Sequence, residues 1–294
     1  MPCMVKRQAN AIRLGAATLL FFLAGCTSPM PTPVPTQTAL PSPSPTAVSK
    51  PELVEPSPTP DPCTGTRGQV EEVAFDSPWL PSFYIYLPEC YASDVETRYP
   101  VLYLLHGQGY EADQWQRLGT IEIAGELIAD GELPPFLIVM PLNAKSSRSV
   151  DVDAFGDVLV NELIPFVDEN YRTIADPQSR AVGGLSRGGG WVIRYGLKRW
   201  ELFGALGAHS PAIFYNDYNK LDDWLAEIPA DEMPLIYLDI GDGDSDIADA
   251  RYFADVLADA GVLHEWHLFT GLHDEDYWQA HVEEYLRWYG AFFE

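Results

Sequence analysis

From residue 69 onward the chain alternates short apolar runs with longer stretches of helical period. Residues 69–75 and 83–87 read as two strands around the turn cluster Asp76-Ser77-Pro78, which predicts an antiparallel hairpin. Continuous apolar runs follow at 101–105 and 136–140, and further strand candidates at 181–185, 203–208, 235–240 and 265–269. Runs without polar alternation are expected to be covered on both faces, as strands of a parallel sheet are. Between them, residues 121–129, 155–171, 188–198, 247–260 and 276–293 carry helical patterns. The order predicts one α/β domain: a mostly parallel central sheet, helices on both faces, and the hairpin at its start. Residues 143–153 and 211–222 follow neither period and are expected to border a pocket.

Before residue 63 the pattern is different. Lys6, Arg7 and Arg13 precede an apolar run from Leu14 to Leu23, which is too short to span a bilayer comfortably. Residues 1–25 therefore read as an export signal. Leu23-Ala24-Gly25-Cys26 resembles the bacterial lipobox, which implies that Cys26 carries lipid and holds the protein on a membrane surface outside the cytoplasm. Residues 26–62 are dominated by Pro, Thr, Ser, Val and Ala and form a linker that cannot pack a core. Residues 63–294 make the folded domain. In an exported protein, Cys63 and Cys90, placed nearly symmetrically about the hairpin turn, are expected to form a disulfide worth roughly 3–4 kcal/mol.

Composition narrows the function classes. With 47% hydrophobic and 12% aromatic residues, a large core is available. A formal charge of −25 repels polyanions, which excludes nucleic-acid binding and adhesion to anionic lipid through a basic patch.

The chemistry is concentrated in Ala181-Val182-Gly183-Gly184-Leu185-Ser186-Arg187-Gly188. A strand running into G-x-S-x-G with a helix behind it is the context of a nucleophile elbow, the mark of the α/β-hydrolase fold. Ser186 is the expected nucleophile. In that fold the acid and the histidine follow the serine on loops after late strands. His273 suits the base, while His264, His267 and His281 suit structural roles and His209 at most lines the pocket. Gly241-Asp242-Gly243-Asp244-Ser245-Asp246 offers three acids; Asp244 is preferred, then Asp242 and Asp246. The alternating aspartates also suggest calcium, but Ile247 and Phe253 stand where an EF-hand needs Gly and Glu, so no metal is expected. The oxyanion donors are expected to be the amides of Arg187 and of Gln108 in Leu105-His106-Gly107-Gln108-Gly109, with His106 bracing that loop. Tyr110, Trp115 and Trp278 are candidates for substrate contact.

Taken together, these segments resemble the esterase-D-like group of α/β hydrolases, which includes feruloyl and acetyl-xylan esterases, enterochelin-type esterases, S-formylglutathione hydrolases and mycolyltransferases. The resemblance is carried by Tyr86-Leu87-Pro88, Tyr99 to Gly107, Glu162 to Val167, Gly184 to Gly189, Phe203-Gly204-Ala205, Gly241 with Asp244, and His273-Asp274 with Tyr277-Trp278. It implies the triad Ser186, Asp244 and His273, acting through an acyl-enzyme with no cofactor on an ester substrate, aromatic or polysaccharide-linked. Siderophore ester hydrolysis and acyl transfer are the alternatives within the group, and a surface binding lipoprotein with a degenerate site is the alternative outside it. Two positions depart from the group: Arg187 stands where methionine is frequent, and Tyr110 replaces a second glycine of the His-Gly loop.

Overall fold

The computed structural model describes residues 68–89 and 91–294. Cys26, Cys63 and Cys90, the leader and the linker lie outside them. The expected hairpin forms from β1 (Gln69–Ala74) and β2 (Ser82–Leu87), paired antiparallel with Gln69 opposite Leu87 and Ala74 opposite Ser82. Next come β3 (Val101–Leu105), β4 (Leu137–Pro141), β5 (Arg180–Leu185), β6 (Ala205–His209), β7 (Leu235–Gly241) and β8 (Glu265–Phe269). The eight strands form one sheet in the order β1-β2-β4-β3-β5-β6-β7-β8. β2 joins β4 antiparallel, and every pairing from β4 to β8 is parallel.

The helices are α1 (Gln114–Arg117), α2 (Thr120–Ala129), α3 (Phe155–Val158), α4 (Ile164–Asn170), α5 (Arg187–Lys198), α6 (Leu221–Glu227), α7 (Ile247–Asp259) and α8 (Glu275–Phe293). Alternation along each buried strand divides its side chains between two cores. Val101, Tyr103 and Leu105 pack with Val167, Trp191, Leu225 and Phe253 on one face. Leu102 and Leu104 pack with Leu127, Trp278, Val282 and Leu286 on the other. Both faces are thus covered from β3 to β7, whereas β8, at the edge of the sheet, is only partly buried. Among the described residues, no helix is long and apolar enough to cross a membrane.

The helix expected over 155–171 is a composite. α3 passes into a π-helical turn at Leu159–Leu163 and then into α4, whose first turn contains Pro165. Proline has no amide to give to a carbonyl one turn back, and the wider turn absorbs that missing bond. The helices α1 and α6 have four and seven residues and leave too short a period to read in the sequence.

Candidate active site

Ser186 sits between β5 and α5 with φ 56° and ψ −119°, a conformation that costs a non-glycine residue about 1–3 kcal/mol. The surroundings hold it there. Its amide donates to the His209 carbonyl at 2.9 Å, and its carbonyl accepts from the amides of Gly190 (3.1 Å) and Ala212 (3.2 Å). The two flanking glycines are required by close approach. A Cβ on Gly184 would collide with the Gly188 carbonyl, and one on Gly188 would collide with the carbonyl of Leu105.

The loop after β8 carries His273 to this serine. With the ring neutral, Ser186 Oγ donates to His273 Nε2 at 2.8 Å, and Nδ1–H lies 2.9 Å from each carboxylate oxygen of Asp244. Asp244 follows β7, its side chain is wholly buried, and its Oδ1 also accepts the Asp246 amide at 2.7 Å. Burial works against the imidazolium. The Asp244 hydrogen bond and the charges of Asp244, Asp246 and Asp274 outweigh burial and hold the His273 pKa above its ordinary value. Burial likewise opposes the Asp244 carboxylate, but the bonds from His273 and the Asp246 amide hold its pKa low. The three candidate acids therefore separate. Asp244 faces the base. Asp242 accepts the Gly271 amide at 3.2 Å and braces the histidine loop. Asp246 lies 3.9 Å from His273 Nε2 and adds its charge without taking the Nδ1 position. Asp244, Asp246 and His273 are close enough to hold a metal ion, yet both imidazole nitrogens already face proton-sharing partners.

The amides of Gln108 and Arg187 donate to no protein acceptor among the described residues, so both remain available to an incoming oxyanion. The loop bearing Gln108 is held by its neighbours. His106 Nδ1–H donates to the Gly107 carbonyl at 2.8 Å, and His106 Nε2 accepts the Asn143 amide at 2.9 Å. The Gly107 amide donates to Gln114 Oε1 at 2.9 Å, and that of Gly109 to Ser146 Oγ at 3.1 Å. Burial lowers the His106 pKa, which keeps the ring in the neutral form this bracing needs.

Four expectations need correction or refinement. Trp115 is 1% exposed and donates Nε1–H to the Leu105 carbonyl; it is core beneath the oxyanion loop and cannot reach substrate. Trp278 is also buried and meets His273 edge-on at 5.1 Å, so it supports the base from behind. Tyr110 remains open to solvent, with the Arg117 guanidinium 5.8 Å from its ring centre. His209 does not line a pocket. It is fully buried, with Nδ1 2.7 Å from Asp239 and Nε2 2.9 Å from the Tyr289 hydroxyl, and Asp239 also accepts from Tyr277 and Tyr285 at 2.7 Å each. Sequence reasoning passed over Asp239, although a lone acid inside the apolar β7 was a signal that buried partners must exist. It also passed over Asp153, whose buried carboxylate pairs with Arg187 at 2.8 Å.

The family model described as "Putative esterase" matches residues 78–289. An endo-1,4-beta-xylanase/feruloyl esterase of Xylanibacter ruminicola is 31% identical over 224 residues, covering 68% of this chain and 30% of the relative. An esterase of Mycobacterium tuberculosis is 30% identical over 175 residues, covering 56% of this chain and 35% of its own length. The chain thus spans about a third of the length of these curated relatives. Among solved structures, a ferulic acid esterase superposes with a TM-score of 0.68 at 26% identity, over 78% of this chain and 99% of that one. The S-formylglutathione hydrolase of Staphylococcus aureus, at 18% identity and a TM-score of 0.65, covers 76% of this chain and 98% of its own, and shares the fold.

Proposed function

This chain belongs to the Esterase family of α/β hydrolases, and from that premise we propose that it is an extracytoplasmic serine carboxylic-ester hydrolase working through an acyl-enzyme. The observation that carries the reading is His273, which meets Ser186 Oγ with one nitrogen and the buried Asp244 carboxylate with the other. That arrangement moves one proton. His273 takes it from Ser186 as the oxygen attacks the ester carbonyl, and Asp244 stabilises the imidazolium that results. The negative charge on the former carbonyl oxygen is met by the Gln108 and Arg187 amides, the second of them at the positive end of α5. His273 then gives its proton to the leaving alcohol. His273 next takes a proton from a water that attacks the acyl-enzyme carbonyl and returns it to Ser186 Oγ as the acyl–oxygen bond breaks and the acid leaves.

Aromatic or acetyl esters attached to polysaccharide are the proposed substrates. Three relatives support this choice: the ferulic acid esterase, the xylanase/feruloyl esterase and an acetyl esterase of Caldicellulosiruptor saccharolyticus. The basic, apolar leader and Cys26 support an envelope location with the domain held out on the linker, and export supports a Cys63–Cys90 disulfide.

The test is an ester panel of p-nitrophenyl acetate and butyrate, methyl ferulate, acetylated xylan and a catecholate siderophore ester, run alongside fluorophosphonate labelling. Turnover on ferulate or acetyl-xylan, labelling at Ser186, and a loss of roughly six orders of magnitude in kcat for Ser186→Ala are expected. An enzyme that keeps its activity in Ser186→Ala refutes the mechanism, and preference for the siderophore ester refutes the substrate class.

A further inference from the structure

We propose that Asp153 is a positioning residue for the oxyanion hole: one buried carboxylate ties together the two segments from which the hole's donors come. The inference rests on the serine-esterase reading above.

Asp153 Oδ2 accepts from Arg187 Nη2 at 2.8 Å and from Asn143 Nδ2 at 3.2 Å, while Oδ1 accepts the Phe155 amide at 3.0 Å. From this point the contacts run in two directions. On one side, the Asn143 amide reaches His106 Nε2 at 2.9 Å, and Ser146 Oγ accepts the Gly109 amide at 3.1 Å. Gln108 lies between His106 and Gly109, so the 143–153 segment grips its loop before and after the donor. On the other side is Arg187, whose amide is the second donor. Its guanidinium is pinned by Asp153 and by the Arg148 carbonyl at 2.9 Å, with the rings of Trp191 and Phe214 at 5.7 and 5.5 Å. The 143–153 segment is a strap, and Arg187–Asp153 is its clasp.

Stability alone does not call for this pair. Burying both charges costs desolvation, and apolar residues of similar volume commonly serve a fold as well or better. What the pair adds is a fixed distance between two amides that must meet one oxygen. A misplacement of about 1 Å at a reacting centre costs on the order of 100-fold in rate.

The experiment measures kcat and KM for p-nitrophenyl acetate per active site, with the sites of the full chain titrated to completion by a fluorophosphonate. Asp153→Ala is expected to lower kcat by roughly 10- to 100-fold with KM within about three-fold. Asp153→Asn, which keeps one acceptor oxygen for Arg187 but turns its NH2 toward the Phe155 amide, is expected to recover only part of that loss. Ser146→Ala releases only the grip on Gly109 and is expected to lower kcat by roughly three-fold or more. A folded Asp153→Ala protein with unchanged kcat per titrated site, or a loss confined to KM, overturns the proposal. Where Asp153→Ala does not fold, Ser146→Ala decides, and an unchanged kcat there overturns it too. A wild-type chain that neither turns over esters nor labels brings down the esterase reading instead, a separate outcome.

Discussion

Replacing Asp246 by Asn should move the acid limb of the kcat/KM profile to lower pH. Asp246 Oδ2 lies 3.9 Å from His273 Nε2, the nitrogen that faces Ser186 Oγ, and its charge helps raise the His273 pKa. Only the charge would change. The Asp246 amide, which donates to Asp244 Oδ1 at 2.7 Å, is retained in Asn. Coulomb attraction at that distance is about 1 kcal/mol at the permittivity of water and about 4 kcal/mol at an effective permittivity of 20. The side chains are 23% exposed for His273 and 31% for Asp246, and the screening length is about 8 Å at physiological salt, so the lower figure governs. About 1 kcal/mol corresponds to about 0.7 pH unit.

The sign follows from which form is active. The free base acts, the aspartate stabilises the protonated ring, and its removal therefore extends activity toward acid. A downward shift of about 0.5–1 pH unit is expected, with the plateau at high pH changed by less than about three-fold. The assay is kcat/KM for p-nitrophenyl acetate from about pH 4 to about pH 9, repeated at about 1 M salt, where a screening length of about 3 Å should shrink the difference between the two proteins. A limb that stays in place or moves upward, or a shift untouched by salt, refutes this account of the base.

Trp115→Ala should act on stability and leave substrate affinity alone. Loss of a fully buried indole that bonds the Leu105 carbonyl should cost about 3–5 kcal/mol in denaturant unfolding, with KM unchanged in the protein that remains folded; a raised KM at unchanged stability would return Trp115 to the pocket. Intact-mass analysis of the exported protein should show lipid on Cys26 and no free thiol at Cys63 or Cys90, whereas two alkylatable thiols in the unreduced protein would remove the disulfide.

The fold was legible because buried strands of a parallel sheet are apolar on both faces, as β3 to β7 are; β8, with Glu265 and His267, is the partly exposed edge strand and is placed by its position after the helical stretch 247–260. The elbow was legible for a different reason. Gly184 answers to the Gly188 backbone one turn on and Gly188 to the Leu105 carbonyl of the adjacent β3, so both glycines are demanded by a strand–turn–helix packed in a parallel sheet. Choosing among Asp242, Asp244 and Asp246 was harder, since three acids at alternate positions differ only in which way the loop turns them. The short helices left no period to detect. The aromatic candidates were misread for a physical reason: a tryptophan next to a catalytic loop packs beneath it as readily as over it, and Trp115 and Trp278 both lie beneath. Contacts between distant segments, such as Asp153 with Arg187, leave no mark in either local pattern.

Two non-glycine residues among those described have positive φ, Ser186 at 56° and Ser210 at 43°. They stand just beyond the ends of neighbouring strands, β5 and β6, and the same buried group underlies both. The Ser186 amide bonds the His209 carbonyl, the Ser210 amide bonds the Asp239 carbonyl at 2.8 Å, and the side chains of His209 and Asp239 are 2.7 Å apart. A buried carboxylate is costly unless its oxygens are filled, and Asp239 fills them with His209, Tyr277 and Tyr285. Tyr277 lies four residues beyond His273, in the first turn of α8. One buried side chain on β7, the strand before Asp244, therefore joins β6 beside the strand of Ser186 and α8 behind His273. Strained backbone persists only where the surroundings over-determine it. At this site they do so through backbone bonds to β6 and β7, whose side chains His209 and Asp239 are tied to each other, and because β5, β6 and β7 run parallel, both strained serines lie at the same end of the sheet.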